Sequence, residues 1–312
     1  MIGLALIEAG LDPTVIVGAK LKEFNGSNFR IGKSQILVIE ADEHFASFLN
    51  YWPKIAVLTN IEKDHLDYYK NLKNILLAYH KYILRLKKDG ILVANKNDIN
   101  IQKIISQVSK PQFKIVYYGL SQKKEKTLRQ PQGKLKKILK IPGQHNIYNA
   151  LAVMAVTRIL NIPDKVALKA LSQYKGAWRR FEIKKGRIGE KSITIISDYG
   201  HHPTEVLVTL KAVREKYPKN PSTKLRARKI WCVFQPHQYQ RTYYLFADFV
   251  KTFRQVPIDN IIITDIYDVA GREEKKISSI VNSKNLVKKI NLKKVKYIPL
   301  NSLEKFVKEN IK

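Results

Sequence analysis

The stretch "SDYGHHPTEV" (197–206) sets His201 and His202 between a glycine and a proline, with Asp198 upstream and Glu205 downstream. Such a cluster can hold a metal, move a proton or cap a helix. Pro203 and an early acid suit a first helical turn, and the β-branched run "SITIISD" precedes them. The histidines therefore stand where a strand hands over to a helix, the edge at which open α/β sheets usually take ligands. "FQPHQYQRT" (234–242) repeats that logic, with His237 and Arg241 just beyond the apolar run "IWCVF". "WRRF" (178–181) contributes Arg179 and Arg180, whose guanidinium forks match phosphate oxygens, although paired arginines are usually solvated.

A second chemistry belongs to the acids. Glu40, Asp42 and Glu43 follow "ILVI", and Asp64, His65 and Asp67 follow "VLTNI". Hard oxygen ligands at strand ends suit Mg²⁺, which keeps several waters and binds phosphate beside one or two carboxylates. Either group alone is as well explained by helix capping, and His65 is either a ligand or a helix-start residue. "IPGQHNIYNALA" (141–152) offers His145, Asn146 and Asn149. Asn146 reads as an N-cap, and Asn149 one turn on can share its face, giving paired amides fit for a purine edge.

The elements that must position these groups alternate. "QILVIEAD" (35–42), "KIAVLTNI" (54–61) and "GILVANKND" read as strands, the first two as buried parallel ones, and "NLKNILLAYHKYILRL" (71–86) reads as an amphipathic helix. Helical runs over 146–162 and 164–174 follow, and βα alternation restarts with "SITIISD", "KIWCVFQ" and "NIIITDIYD". The expected fold is α/β, with a doubly wound parallel sheet in each half and a joint near 174–178. Lys/Gln-rich 119–140 reads as a surface excursion. The first residues read as a buried helix with nothing ahead of it to cap it.

Length suggests two domains. A net charge of +31, from 57 basic and 26 acidic residues, raises the possibility of a polyanion partner. The lysines are scattered, however, and the basic runs lack interleaved aromatics, so solvated helix faces explain them better and no nucleic acid is expected. Cys232 stands alone in an apolar run and reads as a buried strand residue. No secretory signal or membrane-length apolar stretch is visible, and a cytoplasmic protein is expected.

In order, "EADE", "TNIEKDHLD", "PGQHNIYNAL", "RRFE", "DYGHHPTE" and "FQPHQYQRT" resemble the Mur ligase family, and most nearly its alanine-adding branch. The resemblance implies a central ATPase domain with a parallel sheet over 1–176 and a Rossmann-like C-terminal domain over 177–312. It also implies that the family's N-terminal domain, its glycine-rich loop ending in Gly-Lys-Thr and its extreme C-terminus are missing, so that this chain is a fragment inactive on its own. The full-length chain would supply the N-terminal segment. The implied reaction is an ATP-dependent ligation of L-alanine to UDP-N-acetylmuramate through an acyl phosphate, a step of peptidoglycan biosynthesis. A murein-peptide ligase and a non-catalytic binding remnant are the alternatives.

By resemblance Glu40 and His65 are magnesium ligands, and His145, Asn146 and Asn149 lie on the adenine side. Arg180 becomes a phosphate contact with Arg179 beside it. Asp198, Tyr199, His201, His202, His237 and Arg241 form a wall facing nucleotide and substrate. Two departures stand out: Ser197 where a second acid is common, and Gln238 where an arginine usually follows the histidine.

Overall fold

A computed structural model describes residues 1–120, 132–219, 229–269 and 275–311. The chain divides into two compact units, Met1–Trp178 and Arg179–Lys312.

The first unit begins with α1 (Ile2–Glu8), whose Ala5 and Leu6 are fully packed. Strands β1 (Thr14–Leu21), β2 (Ser27–Arg30) and β3 (Leu37–Ile39) form a sheet in the order β2-β1-β3, antiparallel between β1 and β2 and parallel between β1 and β3. A second sheet is wholly parallel, β4 (Ile55–Leu58), β5 (Ile91–Asn95) and β6 (Lys114–Tyr118), in the order β4-β5-β6. The segments 35–42 and 54–61 thus lie in different sheets, and Leu37 on β3 is 54% exposed, contrary to the expected buried pair. A short apolar run cannot announce which sheet it joins.

Between β4 and β5 lie α2 (Leu66–Tyr69) and α3 (Leu72–Ile83); Asn71 caps α3 by accepting from the Asn74 amide. Asp98 likewise caps α4 (Ile99–Ser106). The helix α5 (Gln132–Ile138) buries Leu135 completely, so part of the expected surface excursion belongs to the core; residues 121–131 lie outside the described residues. The helix α6 (Gln144–Ile159) buries five consecutive residues, Ala150 to Met154, because it packs against α1, α5, β5, β6 and α7 (Asp164–Gln173).

The second unit opens with a hairpin, β7 (Glu182–Ile188) antiparallel to β8 (Lys191–Ser197). "SITIISD" therefore starts no parallel sheet; Gly189, with φ of +58°, turns it back on β7. After α8 (Pro203–Lys216) come β9 (Trp231–Phe234), α9 (Tyr239–Tyr244), α10 (Phe246–Gln255), β10 (Asn260–Ile263), α11 (Lys275–Ser278), α12 (Ser283–Ile290), β11 (Val295–Tyr297) and α13 (Leu300–Asn310). The three strands pair in parallel as β11-β10-β9, with α8 and α12 both packed on α10. Cys232 on β9 is half-buried. At the foot of the sheet, Asp259 accepts from the Ile230 amide and pairs with Arg214 and Lys219. Among the described residues no helix is long and apolar enough to cross a membrane.

Candidate functional site

In the first unit the chain leaves β3 at Glu40, whose carboxylate accepts from the Gly18 amide at 2.6 Å. It then makes a tight turn over 44–50 in which Phe45 and Ala46 both take left-handed backbone, φ +52° and +55°. His65, ahead of α2, is left-handed too, φ +50°. Each such non-glycine residue costs on the order of 1 kcal/mol or more, and three of them crowd one site. Their result is a cluster. Nε2 of His65 lies 3.5 Å from Glu43 Oε1 and 3.9 Å from Asp64 Oδ2. One ligand atom from each of Glu43, Asp64 and His65 lies within 4.8 Å of the others, and all three residues are half-buried. The hydrogen bond from His65 holds the Glu43 carboxyl below its ordinary range, against burial, which works to raise it. The Tyr69 hydroxyl donates to the Glu43 carbonyl, and burial pushes that phenol up to about 12. Two carboxylates and one imidazole fit a divalent cation such as Mg²⁺ or Mn²⁺. Of the expected ligand pair, His65 is in this cluster and Glu40 stands apart on Gly18.

The sequence Gly32-Lys33-Ser34 ends like a phosphate loop, but it does other work. The Lys33 and Ser34 amides donate to Asp12, and a Cβ on Gly32 would meet the Asp12 carbonyl at 2.1 Å. The segment runs on into a strand and opens no helix.

The helix α6 starts earlier than expected. Gly143, φ +102°, stands at its N-cap, and Asn146 lies inside the first turn. The Asn146 amide donates to the Pro142 carbonyl at 2.7 Å and to Nε2 of His145 at 3.1 Å. Its two donors are committed to the loop, so of the expected amide pair only half-buried Asn149 keeps its side-chain donors outside these contacts.

In the second unit most of the expected residues meet. Arg179 and Phe181 are left-handed, and the Arg179 carbonyl accepts from the Tyr199 amide while its guanidinium lies 4.9 Å from the Tyr199 ring centre. Asp198 accepts from the amides of Phe181 and Gly200, both at 2.8 Å, and so fixes the turn rather than facing outward. Glu205 accepts from the His201 and His202 amides, at 2.9 and 3.2 Å, and from Arg180 at 3.1 Å. Burial works to raise its carboxyl, but His201, the two amides and Arg180 outweigh it and leave it below the ordinary 4.5.

The two histidines divide their labour. His202 is the N-cap of α8, its Nδ1 accepting from the Thr204 amide in a capping box completed by Glu205. His201 turns the other way. Its Nδ1 donates to the Tyr199 carbonyl at 2.9 Å, which makes Nε2 the acceptor of the neutral ring. His201 lies 5.6 Å from His237, and His237 stacks on Tyr267 at 5.5 Å and 18°. His237 and Tyr267 bridge as the continuation of β9 and β10 past their carboxyl ends. Buried Arg241 donates to Nδ1 of His237 at 3.2 Å and to Oε1 of Gln238 at 3.1 Å. Gln238 thus steers Arg241 where an arginine was expected. Tyr267 was missed by sequence reasoning; its place just past "NIIITDI", at the end of a parallel strand, was the signal.

Comparisons with known proteins cover both units. The Mur ligase middle domain matches residues 25–157, and the Mur ligase, glutamate ligase domain matches residues 179–312. The UDP-N-acetylmuramate–L-alanine ligase of Caldanaerobacter subterraneus subsp. tengcongensis is 39% identical over 331 aligned positions, taking in 99% of this chain and 67% of that protein. Among solved structures, the UDP-N-acetylmuramate–alanine ligase of Thermotoga maritima superposes with a TM-score of 0.68 at 24% identity, over 97% of this chain and 64% of that one. A MurF ligase of Thermotoga maritima in complex with ADP gives a TM-score of 0.58 at 14% identity, over 99% of this chain and 76% of that one.

Proposed function

Because the chain belongs to the Mur ligase family, we propose that it carries the metal-, nucleotide- and substrate-holding residues of an ATP-dependent ligase that joins L-alanine to UDP-N-acetylmuramate. The observation that carries this reading is the 39% identity to an L-alanine ligase sustained over 99% of the chain. The reaction transfers the γ-phosphoryl group of ATP to the lactyl carboxylate of the sugar; the amine of L-alanine then attacks the acyl phosphate, and phosphate leaves as the amide forms.

Most of that chemistry is positioning and charge compensation. Glu43, Asp64 and His65 would hold a divalent cation, which when bound offsets charge on the phosphoryl group. Glu40 remains a candidate for water-mediated contact, held in place by Gly18. In the second unit Arg179 and Arg180 supply charge for phosphate oxygens, with Arg180 kept aimed by Glu205. His201, His237 and Tyr267 form a flat-faced wall that orients the substrate, and buried Arg241 fixes His237 in the tautomer carrying its proton on Nε2. On the adenine side, His145 and Asn146 shape the loop before α6, and Asn149 can reach the base. Asp198 and His202 act on the backbone, setting the turn that presents Tyr199 and His201. ATP, UDP-sugar and alanine as substrates support a cytoplasmic reaction within peptidoglycan synthesis.

The test is substrate choice in a longer form of the chain that carries a family phosphate loop. Phosphate release should require both UDP-N-acetylmuramate and L-alanine. Release with a murein tripeptide but not with L-alanine would assign the chain to the sister activity, and release with neither would make it a binding remnant.

A further inference from the structure

We propose that His44 is a positioning residue for His65, holding its imidazole in the plane that points Nε2 at Glu43 and Asp64. The proposal rests on the reading of those three residues as a cation site.

The argument starts from three rings in a stack. His44 lies between Phe45, 4.1 Å away at 26°, and His65, 4.4 Å away at 21°. Tyr68 closes the far end, edge-on to Phe45 at 5.2 Å. Ordinary backbone sends neighbouring side chains apart, so a residue rarely stacks on the next one. Here the left-handed conformations of Phe45 and Ala46 fold the Phe45 ring back over His44. The backbone of His44 is pinned on both sides. Its amide donates to Asp42 Oδ1 at 2.9 Å, and its carbonyl accepts from the Ser47 hydroxyl at 2.7 Å.

An imidazole ligand directs its lone pair in the ring plane, so rotating the ring aims that lone pair away from its metal. The backbone of His65 is fixed by its amide bond to Asp64 Oδ1, but that bond does not set the ring plane. The flat face of His44 does. A group that orients a ligand from outside the coordination sphere typically changes metal affinity by about 10- to 100-fold. The stack needs a flat ring at 44 and none of its nitrogens, which separates positioning from direct ligation. His44 is also outside the group of ligand atoms that gather within 4.8 Å.

The experiment is a Mn²⁺ titration of the full chain, with free Mn²⁺ read by electron paramagnetic resonance, on the parent, His65→Ala, His44→Ala and His44→Phe. Histidine ring NMR of the metal-free chains reports the stack itself. His65→Ala should abolish binding at this site. His44→Ala should weaken binding roughly tenfold and move the His65 ring signals downfield as the ring current is lost, whereas His44→Phe should restore both. Parent-like binding in His65→Ala, or none in the parent, overturns the site reading and this proposal with it. Binding lost in His65→Ala but unchanged in His44→Ala overturns only the positioning role. Loss in His44→Phe equal to that in His44→Ala would make His44 a ligand and overturn it as well.

Discussion

The acid cluster of the first unit and the histidine–arginine cluster of the second use the same side chain for opposite ends. Around His65 the partners are carboxylates, Glu43 and Asp64, and the chain accepts three left-handed non-glycine residues to bring them together. Around His201 and His237 the partners are a carbonyl, two tyrosines and guanidinium groups, placed by a capping box, two strand ends and the positive-φ residues Arg179, Phe181 and Gln238. The first environment favours a bound cation and the second an anion. Left-handed non-glycine backbone serves both clusters, and in the first it holds close two carboxylates that repel each other.

The largest effect that would break this contrast is turnover by the 312 residues alone. Neither cluster supplies the row of amides and the lysine that cradle β- and γ-phosphates, and the one lookalike, Gly32-Lys33-Ser34, gives its amides to Asp12. Phosphate release that depends on UDP-N-acetylmuramate and L-alanine is expected to be absent from this polypeptide by itself. Its presence would mean that one of the clusters does a phosphate loop's work.

Next in size is the separation of the adjacent histidines. His202→Ala removes an N-cap and should lower the stability of the chain by about 1 kcal/mol in urea melting while leaving the kinetics of the loop-bearing enzyme near the parent's. His201→Ala should do the reverse. A midpoint lowered by His201→Ala and untouched by His202→Ala would exchange their roles.

A smaller effect concerns acid. The folded state holds Glu205 below 4.5 and Asp259 at about 2, against an ordinary 3.8. For Asp259 burial pushes upward, and the Ile230 amide, Lys219 and Arg214 more than reverse it. Both carboxylates are better stabilised ionised in the fold than in the unfolded chain. Their contribution is therefore complete above the ordinary values and is lost as pH falls through the folded ones. Glu205→Gln should flatten the part of the acid limb just below pH 4.5, and Asp259→Asn the part between 3.8 and about 2. If stability against pH keeps the parent's shape in both, these pairs are too well screened to matter.

Much of this was legible in the sequence, for identifiable reasons. Parallel βα units, the strand ends bearing His65, His237 and Tyr199, and the family itself follow from apolar runs and from motifs in order. What was not legible depended on backbone choices that no residue type announces. Nothing in "EADEHFASF" tells a reader that Phe45 and Ala46 are left-handed, yet that turn brings Glu43, rather than Glu40, to His65. The alternation of "SITIISD" fits a hairpin as well as a parallel strand. Asn146 has the right type for a cap, but Gly143 starts the helix sooner.

The contrast between the clusters is tested most directly by titrating Mg²⁺ into the phosphate-release assay of the loop-bearing enzyme, with His65→Ala and His201→Ala measured beside the parent. His65→Ala is expected to lower the rate on the order of 100-fold and to shift the Mg²⁺ requirement upward. His201→Ala is expected to lose rate, or to raise KM for UDP-N-acetylmuramate, at an unchanged Mg²⁺ requirement. A Mg²⁺ requirement that moves with His201→Ala and stays fixed in His65→Ala would contradict the account.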